Sequence, residues 1–463
     1  MNIRHRLSSI ACGISLLTAC AVGPDYHRPK FETTETFKET GGWKPSEPND
    51  VLSRGPWWNI YGDDELGKLE AQIDISNENV KSALAAFDQA QALVAQARAG
   101  FWPTIAGSIG PQRGAIGDAP ARTTVVGALS ANWTLDIWGQ IRRTVESDRA
   151  SAQASNAALA AAKLSAQATL ATDYFQLRAQ DQLQRILDDI VVAEQLSLKI
   201  TESRYKFGVA AKADVVSAQT QLLNSQAQQV NAKIQRAILE HAIAVLVGQQ
   251  PAVFGVATSS MRNDVPTVPA GVPSELLERR PDVAEAERRM AASNAQIGVA
   301  KAAYFPVLTL SGSDQYSSGA FSRLISTTNR VWSIGPELAE TIIDGGLRRA
   351  QVAQARAAYE ASVADYRQTV LAGFEQVEDE IVTLRVLEQQ AVIEDAAVAA
   401  SKEAERLTLN QYKAGTVPYS SVITAQTTRL SSEETALTVL SDRLQASVAL
   451  IEALGGGWSA PRP

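Results

Sequence analysis

Residues 139–208 read GQIRRTVESDRASAQASNAALAAAKLSAQATLATDYFQLRAQDQLQRILDDIVVAEQLSLKITESRYKFG, and this stretch is the strongest indication of the architecture of the chain. It contains no proline, and its only glycines are Gly139 and Gly208 at the two ends. Because proline and glycine interrupt helices, the stretch predicts one continuous α-helix of about 68 residues, roughly 100 Å long. Such a helix cannot be the core of a compact domain, so it must pack lengthwise against neighbours, as in a coiled coil.

The same pattern occurs a second time. From Gly345 to Lys413 the chain again lacks proline, and after the opening glycines only Gly373 interrupts it. Each long stretch is followed by a glycine, Gly208 or Gly415, placed to end the helix through a left-handed residue. Four short motifs recur in the same order at offsets of 203 to 207 residues, namely Ala99–Pro103 with Ala302–Pro306, Gly139–Arg143 with Gly345–Arg349, Arg204–Gly208 with Gln411–Gly415, and Val247–Gly248 with Leu454–Gly455. We interpret the chain as a tandem duplication of roughly 200 residues.

Each copy is expected to contain a helix, two strands, a long helix, a turn and a return helix. The first helix ends near Phe101, because Pro103 prevents its continuation. The chain is expected to begin with a signal peptide at 1–19 and a lipid-anchored N-terminal segment at 20–76. The first repeat, 77–248, has strands at about 103–136 and a long helix at about 139–207, and a linker follows at 249–280. The second repeat, 281–457, has strands at about 306–343 and a long helix at about 345–414, and a tail follows at 458–463.

The strand segments alternate between apolar and polar residues. From Val125 to Leu135 the odd positions are mostly apolar, and in the second copy the even positions from Leu308 to Tyr316 and from Trp332 to Leu338 are mostly apolar. About ten residues of alternation suit a tilted strand that crosses a bilayer, with exposed loops at 111–122 and 317–328. The candidate membrane-interface aromatics are Trp133, Tyr316 and Trp332. A soluble hairpin with one wet face would show the same alternation and remains an alternative.

Composition excludes several classes of function. The 43 basic and 50 acidic residues give a net charge of -7, which provides no basic field for nucleic acid. The chain has two cysteines and three histidines, five residues that lie mostly before residue 28, so we expect no metal site, no Cys/His catalytic pair and no cofactor. We find no nucleotide-binding loop and no hydrolase motif, and the acidic run at Glu375–Glu380 is typical of a solvated helix face. The sequence therefore predicts a protein that is not an enzyme.

The first twenty residues are typical of a secretory signal. Arg4 and Arg6 precede a short apolar stretch, which is followed by small residues. The end of the segment, Leu17-Thr18-Ala19-Cys20, resembles a bacterial lipobox, in which cleavage exposes the cysteine for attachment of lipid. Ala21 follows the cysteine, where aspartate would favour retention at the inner membrane, so we expect lipidation at Cys20 and an outer-membrane location. An ordinary signal peptide with a chance cysteine is the alternative.

The number of strands has a consequence for assembly. Two hairpins supply four strands, and four strands cannot close a barrel, whereas an open sheet edge in lipid leaves backbone groups without hydrogen bonds. If the strands enter a membrane, several copies of the chain must pool them. The same symmetry would gather the long helices into a tube that is open at both ends, which is a conduit and needs no catalytic residue.

Motifs along nearly the whole chain resemble the TolC-like outer-membrane factors, in particular the lipoprotein branch that serves resistance-nodulation-division pumps. The motifs are Ala21–Pro29 after the lipobox, Trp57-Trp58, Trp133–Gly139, Glu278–Val283, Ile297–Ala300 and Leu454–Trp458. The resemblance implies a mainly α protein with membrane β-strands, a homotrimer in which four strands per chain form a twelve-stranded β-barrel, and a long periplasmic α-helical barrel. It further implies a periplasmic adaptor, an inner-membrane pump driven by protons, and the outer membrane of a Gram-negative bacterium with its lipid.

The resemblance also assigns roles to residues at the helix ends. The turns at the ends of the long helices match the tips where adaptor hairpins dock, which makes docking candidates of Arg204, Tyr205, Gly208, Gln411, Tyr412 and Gly415. Family members often carry aspartates just beyond the tip glycine, at the closed periplasmic aperture. This chain has Asp214 in the first copy but Ser421 and Thr424 in the second, so a complete acidic ring is in doubt. Asp214 also suits the start of a return helix, where acid is favoured.

Two other functions remain open. The same fold could serve a type I protein-secretion or metal-efflux system, although three methionines, at Met1, Met261 and Met290, give no support for a copper(I) relay. The chain could also be a lipid-anchored periplasmic scaffold whose strands form a soluble sheet. The exported substrate is not encoded in a recognisable motif.

Overall fold

The computed structural model describes residues 21–29, 37–39, 56–115, 117–118, 120–268 and 279–456. Within these ranges the chain is mainly helical, with one four-stranded sheet. The helices are α1 (Asp64–Ser76), α2 (Glu78–Ala99), α3 (Gln140–Lys206), α4 (Lys212–Leu246), α5 (Pro281–Ala302), α6 (Leu347–Ala414) and α7 (Tyr419–Ala453). The strands are β1 (Thr104–Gly114), β2 (Arg122–Leu135), β3 (Val307–Ser318) and β4 (Arg330–Ala339).

The two long helices begin with the same device. Asp136 accepts hydrogen bonds from the backbone N–H groups of Ile141 and Arg142, at 2.9 and 3.0 Å, and from the guanidinium of Arg142 at 3.1 Å. Asp344 accepts from the backbone N–H of Arg348 at 3.2 Å and from its guanidinium at 2.6 Å. A carboxylate at this position satisfies backbone donors that have no partner inside the helix and meets the positive end of the helix dipole. The two long helices therefore begin with equivalent carboxylate caps.

The strands form one antiparallel sheet in the order β1-β2-β3-β4. The two hairpins are joined through β2 and β3, where Val125 is opposite Ser318 and Leu135 is opposite Leu308. This register places the odd positions of β2 on the same face as the even positions of β3 and β4. The apolar members of the alternation in both copies therefore share one face of the sheet. Strands β1 and β4 are its two edges.

The described residues divide into two compact units, and each draws on both sequence repeats. The first contains 21–29, 85–156 and 285–368, and includes the sheet. The second contains 37–39, 56–84, 157–268, 279–284 and 369–456, and includes the largest hydrophobic core. Fully or almost fully buried members of that core are Leu66, Ile73, Leu170, Leu177, Ile243, Ile381 and Ile451. In the described part of the chain, no helix combines the length and the apolar character needed to cross a bilayer.

Candidate functional site

The turn between α3 and α4 is built on Gly208. Its φ is 73°, a left-handed conformation that favours glycine because it has no Cβ. The N–H of Gly208 donates to the carbonyl oxygen of Tyr205 at 2.9 Å, and the N–H of Val209 donates to that of Arg204 at 2.8 Å. This pair of bonds is a Schellman motif, which ends the helix sharply and satisfies its last carbonyl groups.

The turn between α6 and α7 repeats this geometry at Gly415, where φ is 79°. The N–H of Gly415 donates to the carbonyl oxygen of Tyr412 at 3.0 Å, and the N–H of Thr416 donates to that of Gln411 at 3.0 Å. Both predicted tips are therefore sharp reversals with the same backbone hydrogen bonds. Gln411 contributes its carbonyl oxygen, while its side chain is exposed.

The tips differ in what their equivalent tyrosines do. Tyr205 is 45% exposed, and the ammonium of Lys212 lies 5.4 Å from its ring centroid. Tyr412 is only 3% exposed and packs edge-on against Tyr419, with ring centroids 5.1 Å apart. The predicted docking residue Tyr412 therefore supports its tip from inside, and the exposed residues around it would have to make any contact with a partner.

Arg204 connects the two tips. Its Nη1 donates to the carbonyl oxygen of Lys413 at 2.7 Å, and its guanidinium lies over the ring of Tyr412 at 4.8 Å from the centroid. A shallow cavity of about 340 Å³ opens beside this contact, and it is lined by Lys199, Ile200, Ser203, Arg204 and Lys413. Arg204 is thus half-buried and bound to the neighbouring tip, whereas the sequence predicts it only as a docking residue.

The three aperture candidates all lie in the first turns of the return helices. Asp214 is half-buried, and its backbone N–H donates to the carbonyl oxygen of Ala211 at 3.1 Å. Burial is the main cause that raises the pKa of Tyr419 above its ordinary value, and the charges of Glu194 and Asp214 add to it. Ser421 is half-buried, and the hydroxyl of Thr424 donates to the carbonyl oxygen of Ser420 within its own helix at 3.1 Å. Asp214 is thus the one acid among the three.

The three interface candidates lie on the apolar face of the sheet. Trp332 is 64% exposed, while Trp133 and Tyr316 are half-buried. Trp133 is paired with Leu310, near the helical end of the sheet, and its indole N–H donates to the carbonyl oxygen of Phe101 at 2.9 Å. Tyr316 lies six residues further along β3, which is about 20 Å away at roughly 3.3 Å per residue. Aromatic residues therefore lie toward both ends of this face.

Large apolar side chains cover the same face and are open to solvent. The exposed members are Ile105, Ile109, Leu129, Trp332, Ile334 and Leu338. The opposite face carries hydroxyl and amide side chains, including Ser313, whose hydroxyl lies 2.8 Å from that of Ser333. An apolar face of this extent favours contact with lipid or another apolar surface rather than with water. The predicted lipidation residue, Cys20, lies outside the described residues.

One set of contacts has no recognisable signal in the sequence. The segment Ala21–Pro29 lies against α3 and α5, where Arg143 contacts its backbone and Gly23 packs on Gly298. Gly23 and Gly298 occur in motifs that carry the family resemblance, but the motifs give no indication that the two residues touch. Among the described residues, no group of three or more His, Cys, Asp or Glu side chains is arranged to hold a metal ion.

A family model described as outer membrane efflux protein matches residues 71–249 and 272–456. Nodulation protein T of Rhizobium leguminosarum bv. viciae is 29% identical over 456 residues, which cover 96% of this chain and 92% of that protein. The pyoverdine export outer membrane protein OpmQ of Pseudomonas aeruginosa is 31% identical over 421 residues, which cover 88% of each chain.

Solved structures show the same fold. The outer-membrane channel OprN matches with a TM-score of 0.86 and 30% sequence identity, over 95% of this chain and 100% of that chain. The CmeC outer membrane channel of Campylobacter jejuni matches with a TM-score of 0.89 over 96% of each chain, and at 20% identity it is informative about the fold alone. Since the family model matches most of both sequence repeats, this chain belongs to the outer membrane efflux protein family.

Proposed function

We propose that this chain is the outer-membrane channel of a tripartite efflux pump and passively conducts drugs or other small molecules to the cell exterior. The main support for the proposal is the two-faced sheet, on whose apolar face Ile105, Leu129 and Ile334 are exposed to solvent. A strand with one apolar and one polar face suits a barrel wall between lipid and a watery lumen. Similar proteins include the antibiotic efflux pump outer membrane protein ArpC of Pseudomonas putida, at 25% identity. This role requires neither a catalytic residue nor a cofactor.

The sheet edges support assembly with other copies of the chain. Strands β1 and β4 are different edges, and in lipid each must be paired. Pairing β1 of one copy with β4 of the next joins unlike surfaces, and such a contact forms a ring when its rotation closes. The homotrimer with a twelve-stranded β-barrel, continuous with a periplasmic helical barrel, satisfies this requirement.

An exposed apolar stripe on α4 supports the same assembly. Val216, Leu223 and Val230 are 49%, 57% and 63% exposed and are spaced by seven residues. The stripe continues through Ile234, Ile238 and Val245. Seven-residue spacing places these side chains on one helix face, which is the pattern of a coiled-coil seam. The proposed occupant is a helix of the neighbouring copy.

The helix tips are the proposed contact with a periplasmic adaptor, which in turn engages an inner-membrane proton-driven pump. The first tip presents Tyr205, Phe207 and Val209, and Phe207 is 76% exposed. The second tip is more polar at its surface, because Tyr412 is buried and Thr416 is exposed. We therefore propose that the adaptor distinguishes the two tips, with its apolar contact at the first. Asp214 with Ser421 and Thr424 would line the aperture behind them.

The lipobox-like sequence supports an outer-membrane lipoprotein anchored through Cys20 after removal of residues 1–19. More than one acyl chain is needed for durable anchoring, and lipobox modification attaches diacylglycerol and an N-acyl chain. The helices would then extend into the periplasm of a Gram-negative bacterium.

The test is export in cells. The chain is expressed in a strain that lacks its own efflux channel, together with a candidate adaptor and pump from the same genome, and drug susceptibility is measured. Restored resistance that depends on both partners supports the proposal. Full resistance without the adaptor, or none in the complete system despite normal amounts of trimer, would contradict it.

Metal efflux is the second candidate. The cation efflux system protein CusC of Escherichia coli is 25% identical over 453 residues, which cover 96% of this chain. The same strain tested on copper and silver separates the two: metal resistance without drug resistance would favour this candidate. Secretion of a protein or a purely scaffolding role would leave both phenotypes unchanged.

A further inference from the structure

The segment Ala21–Pro29 is fixed along α5 in one direction. Gly23 lies against Gly298, and the side-chain amide of Asn294 donates to the carbonyl oxygen of Pro24 at 3.1 Å. Tyr26 is hydrogen-bonded to Glu287, which precedes Asn294 by about two helical turns and therefore lies further from the sheet. The segment therefore runs antiparallel to α5, with its amino end at the end of the helix that leads into β3.

The amino end itself is attached where β2 becomes α3. The N–H of Val22 donates to the carbonyl oxygen of Trp138 at 3.0 Å. A Cβ placed on Gly139 would lie 2.9 Å from the Cα of Ala21, so the two backbones are in contact. Gly139 has a φ of 82°, which also favours glycine. The chain direction thus places Ala21 at the helical end of the sheet.

Arg143 holds this arrangement. Its side chain is 6% exposed, and it donates to the carbonyl oxygen of Val22 at 3.3 Å and to the carboxylate of Asp25 at 2.8 Å. The packing has no spare room, because a Cβ on Gly23 would lie 2.5 Å from the Cα of Gly298, and one on Gly298 would lie 2.7 Å from Cγ of Arg143. A planar guanidinium can serve several acceptors in fixed directions, which an ammonium cannot.

We propose that Arg143, Gly23 and Gly298 form a clamp that holds the chain directly after the lipid-bearing residue at the helical end of the sheet. The lipid anchor and the sheet then reach the membrane at one fixed spacing. Consecutive Cα atoms are about 3.8 Å apart, so the clamp leaves only one peptide link of slack between Ala21 and Cys20. Arg143 is a positioning residue in this scheme, and the inference rests on the proposed lipid anchor.

The test is a double-mutant cycle in the full chain. Arg143→Met breaks the clamp, and Cys20→Ser behind an ordinary cleavable signal peptide removes the lipid. In the lipid-bearing chain we expect Arg143→Met to lower the fraction of heat-modifiable trimers in the outer membrane by about fivefold, and in the lipid-free chain to change it little. Arg149→Met, an exposed arginine on the same helix, is the matched control. Equal losses in both backgrounds would show a purely structural role and overturn the proposal.

A second variant leaves the folded contacts intact. Inserting Ala-Ser-Ala between Cys20 and Ala21 keeps alanine after the cysteine and adds about 10 Å of slack. We expect a loss of trimer comparable to that of Arg143→Met, again only when lipid is present. Normal assembly of the lipid-bearing insertion variant would overturn the clamp. Labelling with radioactive palmitate separates the two premises. If the unaltered chain takes up no label, both the lipid anchor and the clamp are wrong. If it is labelled but the insertion has no effect, only the clamp is wrong.

Discussion

The guanidinium of Arg204 donates to the carbonyl oxygen of Lys413 at 2.7 Å, and so joins the ends of two long helices that are 209 residues apart in the sequence. The same group lies over the buried ring of Tyr412. One side chain thus connects the backbone and the aromatic core of the second tip to the first.

Arg204→Met should loosen the tips. The substitution removes a charge-assisted hydrogen bond and a cation–π contact but retains an apolar stem, and we expect amide hydrogen exchange at residues 409–416 to become about tenfold faster. Lys206→Met, an exposed cation in the same turn of α3, is the control and should leave exchange unchanged. Equal protection in the Arg204 and Lys206 variants would contradict the role of the contact.

The tip glycines provide a test of adaptor docking. No atom lies within 4 Å of a Cβ built on Gly208, so a large side chain there would project into solvent despite local backbone strain. Gly208→Trp combined with Gly415→Trp should abolish drug resistance while the amount of trimer stays near normal. Gly319→Trp, at an open position between β3 and β4, is the control for a bulky surface residue. Full resistance in the double variant would count against docking at the tips.

The stripe on α4 predicts the surface between copies. Leu223→Glu with Val230→Glu places two charges in an apolar seam. We expect the amount of heat-modifiable trimer to fall by tenfold or more, which corresponds to a loss of at least about 1.4 kcal/mol in the free energy of association. Gln228→Glu introduces charge at an exposed position on another face of the same helix. If the trimer yield of the double variant falls no more than that of the Gln228→Glu control, the surface between copies lies elsewhere.

The buried carboxyl of Glu70 predicts a pH dependence. Both its oxygens lack hydrogen-bond partners in the described part of the chain, and burial, with the charge of Asp74, raises its pKa to about 9. The folded chain binds this proton more tightly than the unfolded chain, so its stabilising effect is full below the ordinary pKa of 4.5 and is lost as pH rises toward 9. Each pH unit in this window costs about 1.4 kcal/mol.

Glu70→Gln should therefore flatten the fall in melting temperature between pH 6 and pH 9. Glu65→Gln, an exposed glutamate on the same helix, is the control and should keep the fall. The measurement is thermal unfolding in detergent, followed by circular dichroism. An unchanged pH profile in the Glu70 variant would assign the dependence to other groups.

Local signals in the sequence were sufficient for the two long helices and the strand faces, but not for α1 (Asp64–Ser76), which lies in the segment expected to be a lipid-anchored N-terminal stretch. The run without proline after Gly139 predicted a long helix, and the structure has α3 at Gln140–Lys206. The alternation of apolar and polar residues in β2 and β3 is a property of each strand's own sequence, so it could be recognised without knowing that the two strands pair. The difference between Tyr205 and Tyr412 was not readable, because the two residues have equivalent sequence contexts and only tertiary packing buries one of them. The contact of Gly23 with Gly298 joins distant motifs and was hidden for the same reason.

We propose that copies of this chain close their sheets into a conducting pore. The most direct measurement is the conductance of the purified, heat-modifiable protein in planar lipid bilayers, with its oligomeric mass determined in the same preparation. We expect a trimer that inserts spontaneously and gives discrete steps of ion conductance. A monomer that conducts nothing would contradict it.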